Sequence, residues 1–142
     1  MANDLNNFAR RIRARGNKVN KNTDTLMKKT ILGVDQALVL ATPVDTGRAR
    51  ANWRPSIGVM ITETLPEPAG PNIGTGAAIK AGQDVAEAYN GDGSPVVHIT
   101  NNLPYIQYLN QGSSQQAPAN FVGQAILIVA NIIGRGRIIT GN

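Results

Sequence analysis

Apolar positions along the chain change period several times, and each change marks an element. Met27, Ile31, Val34, Leu38 and Ala41 recur at steps of four, three, four and three, the stripe of an amphipathic helix. Upstream of it, Leu5, Phe8, Ile12, Val19 and Leu26 make a sparser stripe interrupted by Gly16, Asn17, Asn20 and Asn22, residues of poor helix propensity. Two readings stay open here: one helix from about residue 4 to 41, capped by Asn3 or Asp4, or two helices with a hinge near Gly16 to Asn22. Pro43 ends the helix in either case, because proline disfavours helical geometry in the residue before it.

Beyond Pro43, Ile57, Val59 and Ile61 alternate with more polar neighbours and predict a strand, with Pro55 at an edge or just before the ladder. Residues 65–76, punctuated by Pro66, Pro68, Gly70, Pro71 and Gly74, read as a loop. A helix over residues 77–89 follows, with Ala78, Ala81, Val85 and Ala88 as its small-residue face; Ile79 lies off that face and Gly82 weakens its middle. A turn over 90–95 leads into a second strand, 96–100, with Val97 and Ile99 on one face. A short helix around 104–110 is stopped by Gly112.

The last helix, about 119–133, starts just after Pro118. Phe121, Val122, Ala125, Ile126, Leu127, Ile128, Val129, Ile132 and Ile133 cover most of its circumference, which predicts burial on more than one side, as core or as a subunit contact. The pattern as a whole is α+β: a long N-terminal helix, a small antiparallel or mixed β-sheet packed by helices, and a mostly buried C-terminal helix. It divides into a basic helical arm, residues 1–25, and a single domain, residues 26–142.

Composition narrows the functional classes. A chain of 142 residues suits one domain, which buries roughly 70% of the surface its unfolded form exposes. It has no cysteine and one histidine, so there is neither a disulfide scaffold nor a thiolate metal site, and a protein-only zinc centre is disfavoured. No secretory pattern opens the sequence, and its longest apolar run is well short of the roughly 18 residues needed to span a bilayer. The expectation is a protein assembled in a cytoplasm, without cofactor or membrane partner.

Charge is unevenly placed. The formal net of +5 arises from a local +6 in residues 1–30 and −1 in the remainder. The basic residues Arg10, Arg11, Arg13, Arg15, Lys18, Lys21, Lys28 and Lys29 therefore form the element to which a polyanion is drawn. Only Phe8 is an aromatic near them, which disfavours base stacking and leaves nonspecific contact with backbone phosphate. A solvated basic helix explains the same residues.

Candidate catalytic chemistry is weak. Asp45-Thr46-Gly47 is the triplet of aspartic proteases, but Arg48 follows where a small apolar residue belongs. A turn with Asp45 capping backbone N–H groups and Gly47 taking an unusual backbone angle accounts for it better. The glycine-rich stretch from Gly70 to Gly76 lacks the lysine of a phosphate-binding loop. His98 reads as a half-buried strand residue, and Asp84, Glu87 and Asp92 match no calcium loop. No nucleophile, base and orienting group stand together, so the chain reads as a non-enzyme.

Two segments carry more specific information: Thr42-Pro43-Val44-Asp45-Thr46-Gly47-Arg48 ending near Trp53, and Asn101-Asn102-Leu103-Pro104-Tyr105 followed by Gly112-Ser113 and Ala117-Pro118 before Phe121. Trp53, Tyr105, Tyr108 and Phe121 lie in or beside them, which predicts that the segments meet in one packed centre. Together, over about Leu26 to Ile133, they resemble the neck, tail-completion and head-tail connector proteins of tailed bacteriophages. One departure is Asn110, where that family usually carries an acidic residue before the Gly-Ser turn.

The resemblance implies a structural virion protein of the neck, assembled in the host cytoplasm as a homo-oligomeric ring, a hexamer or dodecamer. Such a ring completes the tail or connector, joins head to tail around the DNA channel, and contacts the adjacent head-connector and tail-tube or tail-terminator proteins. Pro43, Asp45, Thr46, Gly47, Arg48, Trp53, Asn101, Asn102, Pro104, Tyr105, Gly112, Ser113, Pro118 and Phe121 are then its structural and interface motif. Arg10, Arg11, Arg13, Arg15, Lys18 and Lys21 line the channel or reach an adjacent ring. The alternative is a nonspecific DNA-binding accessory protein acting through the same basic helix.

Overall fold

In a computed structural model of the chain, the described residues are 2–134, with described side chains at 6–12, 14 and 22–134. Helix α1 (Ala2–Ala41) is one helix of 40 residues, about 60 Å long at about 1.5 Å per residue. The backbone does not break between Gly16 and Asn22, so the single-helix reading holds and the hinge does not. The capping role expected of Asn3 or Asp4 lies outside the described side chains. Of the earlier stripe, Phe8 and Ile12 are exposed, while Ile31, Leu38 and Val39 are buried.

The second half of α1 is the axis of the fold, with α3 (Pro71–Ala88) and α5 (Phe121–Gly134) packed along it. The larger core joins Leu38 and Val39 to Trp53, Ala78, Ala117, Phe121 and Ala125. A smaller one joins Ile31 to Ala86 and Tyr89. The short α2 (Arg48–Ala51) follows the turn after α1. Strands β1 (Arg54–Ile57) and β2 (Val97–Thr100) then form a two-stranded antiparallel sheet, and α4 (Ile106–Asn110) completes the set. The expected α+β architecture is present, with an antiparallel sheet rather than a mixed one.

Several element boundaries differ from the sequence reading, each for a local reason. β1 begins at Arg54 and stops at Ile57, because Gly58 at φ 81 turns the chain out of the ladder. Val59 is consequently 80% exposed instead of being a strand residue. Pro55 is tolerated opposite Ile99 because both strands of a two-stranded sheet are edges.

The proline- and glycine-rich stretch from residue 71 onward is helix, with Pro71 in the first turn of α3, where its missing N–H would be unpaired anyway. The buried stripe of α3 is Gly74, Ala78, Gly82 and Ala86, strictly every fourth residue. Ala88 is exposed, and Ile79 joins the larger core. Glycine at 82 is therefore a close-packing position: a Cβ there would collide with the Asp35 carboxylate.

α5 departs most from expectation. Only Phe121, Ala125 and Val129 are buried, while Ile126, Leu127, Ile128 and Ile132 are 46–66% exposed. Among the described residues, α5 packs on α1 through one face, and its opposite face is left uncovered. Among the described residues, no helix is long and apolar enough to cross a membrane.

Candidate functional site

The two segments singled out in the sequence come together at the C-terminal end of α1. The helix ends at Ala41, and Thr42 turns its Oγ1 back to donate to Leu38 O at 2.6 Å, while the same oxygen accepts from Trp53 Nε1 at 2.7 Å. Both residues are buried. Arg50 covers the remaining carbonyls, its Nε donating to Thr42 O at 2.8 Å and Nη2 to Leu40 O at 3.1 Å. A cation suits this place because the helix dipole puts partial negative charge on the last carbonyls. Partial burial lowers the guanidinium pKa from its ordinary value without threatening its charge.

The Asp45-Thr46-Gly47 turn is arranged differently from the expectation. Thr46 Oγ1, not the exposed Asp45, accepts from the Arg48 N–H, at 3.3 Å. Gly47 does take the left-handed conformation, φ 87, and sits so close to α3 that a Cβ would come within 2.6 Å of Pro71 Cα. Asp45 stands on a turn outside the sheet, not between the paired strands that hold an aspartic-protease triplet.

Side-chain hydrogen bonds lock the second segment and the intervening loop to this centre. Asn101 Nδ2 donates to Ala49 O at 2.9 Å, joining the start of the second segment to α2. Gln116 Oε1 accepts from Val44 N at 2.9 Å, joining its far end to the turn. Asn52, only 1% exposed, grips the connection after β1: Oδ1 accepts from Leu65 N at 2.6 Å, and Nδ2 donates to Arg48 O and Leu65 O. Arg48 Nε also donates to Leu65 O, at 3.1 Å, and Asn102 Nδ2 donates to Ile61 O at 2.9 Å.

The aromatic centre is half of what was expected. Trp53 and Phe121 meet in the larger core, but Tyr105 and Tyr108 are 37% and 66% exposed, and Ile106 and Leu109 turn inward in their place. Pro104 and Pro118 are exposed. Gly112, at φ 94, ends the turn after α4, and Ser113 N donates to Tyr108 O. Between the segments lies a groove of about 400 Å³ bordered by the 43–49 turn, Glu67, Tyr105, Leu109, Ser114 and Gln116.

Asn110 has a structural task in place of the missing acid: its Oδ1 accepts from Val122 N at 3.0 Å, at the start of α5. Asn120, at φ 61, adds a second cap through Gly123 N. On the arm, Arg10 and Arg11 are exposed, and Arg10 bonds Asn7 Oδ1 one turn back. Arg13, Arg15, Lys18 and Lys21 lie outside the described side chains.

Sequence reasoning missed Arg50, Asn52 and Gln116 as the residues that tie the centre together. Arg50 was findable, being a cation soon after a helix-ending proline, but nothing in the sequence flags a loop glutamine 72 residues from its partner. Asp35 was missed as well. Its carboxyl is buried between α1 and Gly82 of α3, neither oxygen has a hydrogen-bond partner, and burial pushes its pKa up to about 7. Among the described residues, no group of three or more His, Cys, Asp or Glu side chains is placed to hold a metal ion. No family model matches the chain, and no curated protein or solved structure matches it either.

Proposed function

We propose that this chain is a structural part of the neck of a tailed-phage particle, a ring-forming protein that completes the tail or connector and joins head to tail. The observation that carries the reading is that the two segments resembling the neck proteins, far apart in sequence, are joined by direct bonds from Asn101 to Ala49 and from Val44 to Gln116. A chance likeness of two unrelated loops gives no reason for them to form one hydrogen-bonded unit. In this reading the unit is scaffold: it fixes α1, the sheet and α5 relative to one another. The large apolar residues left uncovered on α5 are what a protein that works only in an assembly would carry.

Electron microscopy of particles made while the gene is silenced, beside a complemented control, tests the role. Filled heads accumulating apart from tails are the expected outcome. Normally joined particles would remove the joining role and bring forward the DNA-binding alternative, for which the exposed Arg10 and Arg11 on the arm are the supporting observation.

A further inference from the structure

We propose that the outer edge of β2 takes an extended segment of a partner protein as a third strand of the sheet. This contact needs only the sheet, and holds whether or not the neck role does. Gly58 N donates to Val96 O at 2.7 Å, one step beyond the pair Ile57 and Val97, and so fixes the phase of the ladder. Bonded and non-bonded pairs alternate in an antiparallel ladder. Ser56 with His98 and Arg54 with Thr100 therefore exchange bonds, and the main-chain groups of Pro55, Ile57, Val97 and Ile99 point to the two outer edges.

Those edges are unlike. On β1, Pro55 has no N–H to offer, Ile57 O already accepts from Val59 N at 3.0 Å, and α3 packs on the strand. On β2, the N–H and C=O of Val97 and Ile99 have no partner among the described residues. Proline and charge are two common means of closing an edge, and the sequence of β2, Val-His-Ile-Thr, has no proline and no formally charged residue. The connection after β1 does not close it either. Arg54 Nη1 donates to Glu63 O and Thr100 Oγ1 to Ile61 O, so these residues cross the face of the sheet opposite the core instead of running beside β2.

The chemistry of the edge selects its occupant. Two donors and two acceptors repeat along β2 at about 6.8 Å, the repeat of an extended main chain. A polyanion supplies acceptors only and would leave both carbonyls without a donor. Val97 and Ile99 reach the two cores yet stay half-buried, so the added strand should be apolar opposite them and uncharged between. A second copy could reach this edge with its own β2, its β1 edge being closed. In the register that uses all four groups, such a two-fold pair sets His98 directly against His98, which favours a different chain as the partner.

Amide hydrogen exchange of the full-length protein, read residue by residue by NMR, tests the edge. In the protein alone, the His98 and Thr100 amides should be protected by β1, and those of Val97 and Ile99 should exchange about tenfold faster or more. The probe is an acetylated and amidated peptide alternating Val with Thr and ended by Lys for solubility. With free peptide at about twice its Kd, exchange at Val97 and Ile99 should slow about threefold.

In an antiparallel addition the residues opposite Val97 and Ile99 share their face and supply the bonding N–H groups. Methylating the backbone nitrogens of the Val residues in the peptide should therefore remove the effect, and methylating those of the Thr residues should leave it. Equal protection by both methylated peptides would overturn the proposal, as would no protection from the unmethylated one at millimolar concentration. Val97 and Ile99 amides already protected in the protein alone would overturn it too. Protection independent of concentration would assign the edge to another part of the same chain, and protection rising with concentration would assign it to a second copy.

Discussion

A buried carboxyl with no partner sets a pH dependence that can be written down from one residue. Asp35 has a pKa of about 7 in the folded chain against an ordinary value near 3.9 in the unfolded one. Below about pH 4 both states hold the proton and the group is neutral to stability. Between about pH 4 and 7 only the folded state keeps it, so stability falls as pH rises, and above 7 the full cost of a buried anion is present, about 4 kcal/mol. Asp35→Asn is expected to raise the melting temperature by several degrees at pH 8 and to change it little near pH 4; a uniform effect across pH would contradict this account. Gly47 is the other sensitive residue. Gly47→Ala combines a left-handed φ with a backbone clash at Pro71, and should cost more than about 2 kcal/mol, read as a lowered urea midpoint at unchanged slope.

At the scale of elements, the α1–α3 seam is built from a stripe of small residues, and its tightest point is Gly82 against Asp35. Gly82→Ala should destabilise strongly alone, and Asp35→Ala should offset part of the loss, a non-additivity above about 0.5 kcal/mol in a double-mutant cycle by chemical denaturation. Additive effects would place the clash elsewhere.

How far these elements could be read from sequence depended on what set their boundaries. The second half of α1, β2 and α4 follow from local period and a stop signal, and they were legible to within about two residues. α3 was misread because its first turn is made of Gly, Pro and Asn, whose ordinary preference is for loops, and packing of Gly74 against Gly47 and Ala51 overrides that preference. The hydrogen bonds of the centre were not legible, because Gln116 and Asn52 find partners only after the chain has folded back.

For the whole molecule, the distribution of charge and of apolar surface separates two kinds of encounter. If the arm touches DNA, full-length protein should bind duplex without sequence preference. The logarithm of affinity should then fall by about 0.9 per phosphate neutralised for each unit of log salt. Charge reversal at Arg10, Arg11, Arg13 and Arg15 should abolish it, and a salt-insensitive signal would have another origin. Any association through the exposed residues of α5, by contrast, should persist or strengthen with salt, because α5 itself has no charge to screen.

The exposed flank of α5 also bears on how the protein is handled by a cell. If the protein works in an assembly, as proposed, copies made faster than neighbours capture them will stick indiscriminately to one another and to other bare hydrocarbon. Such a chain is sensitive to dosage. On that proposal, its yield in solution should depend on how soon a neighbour arrives.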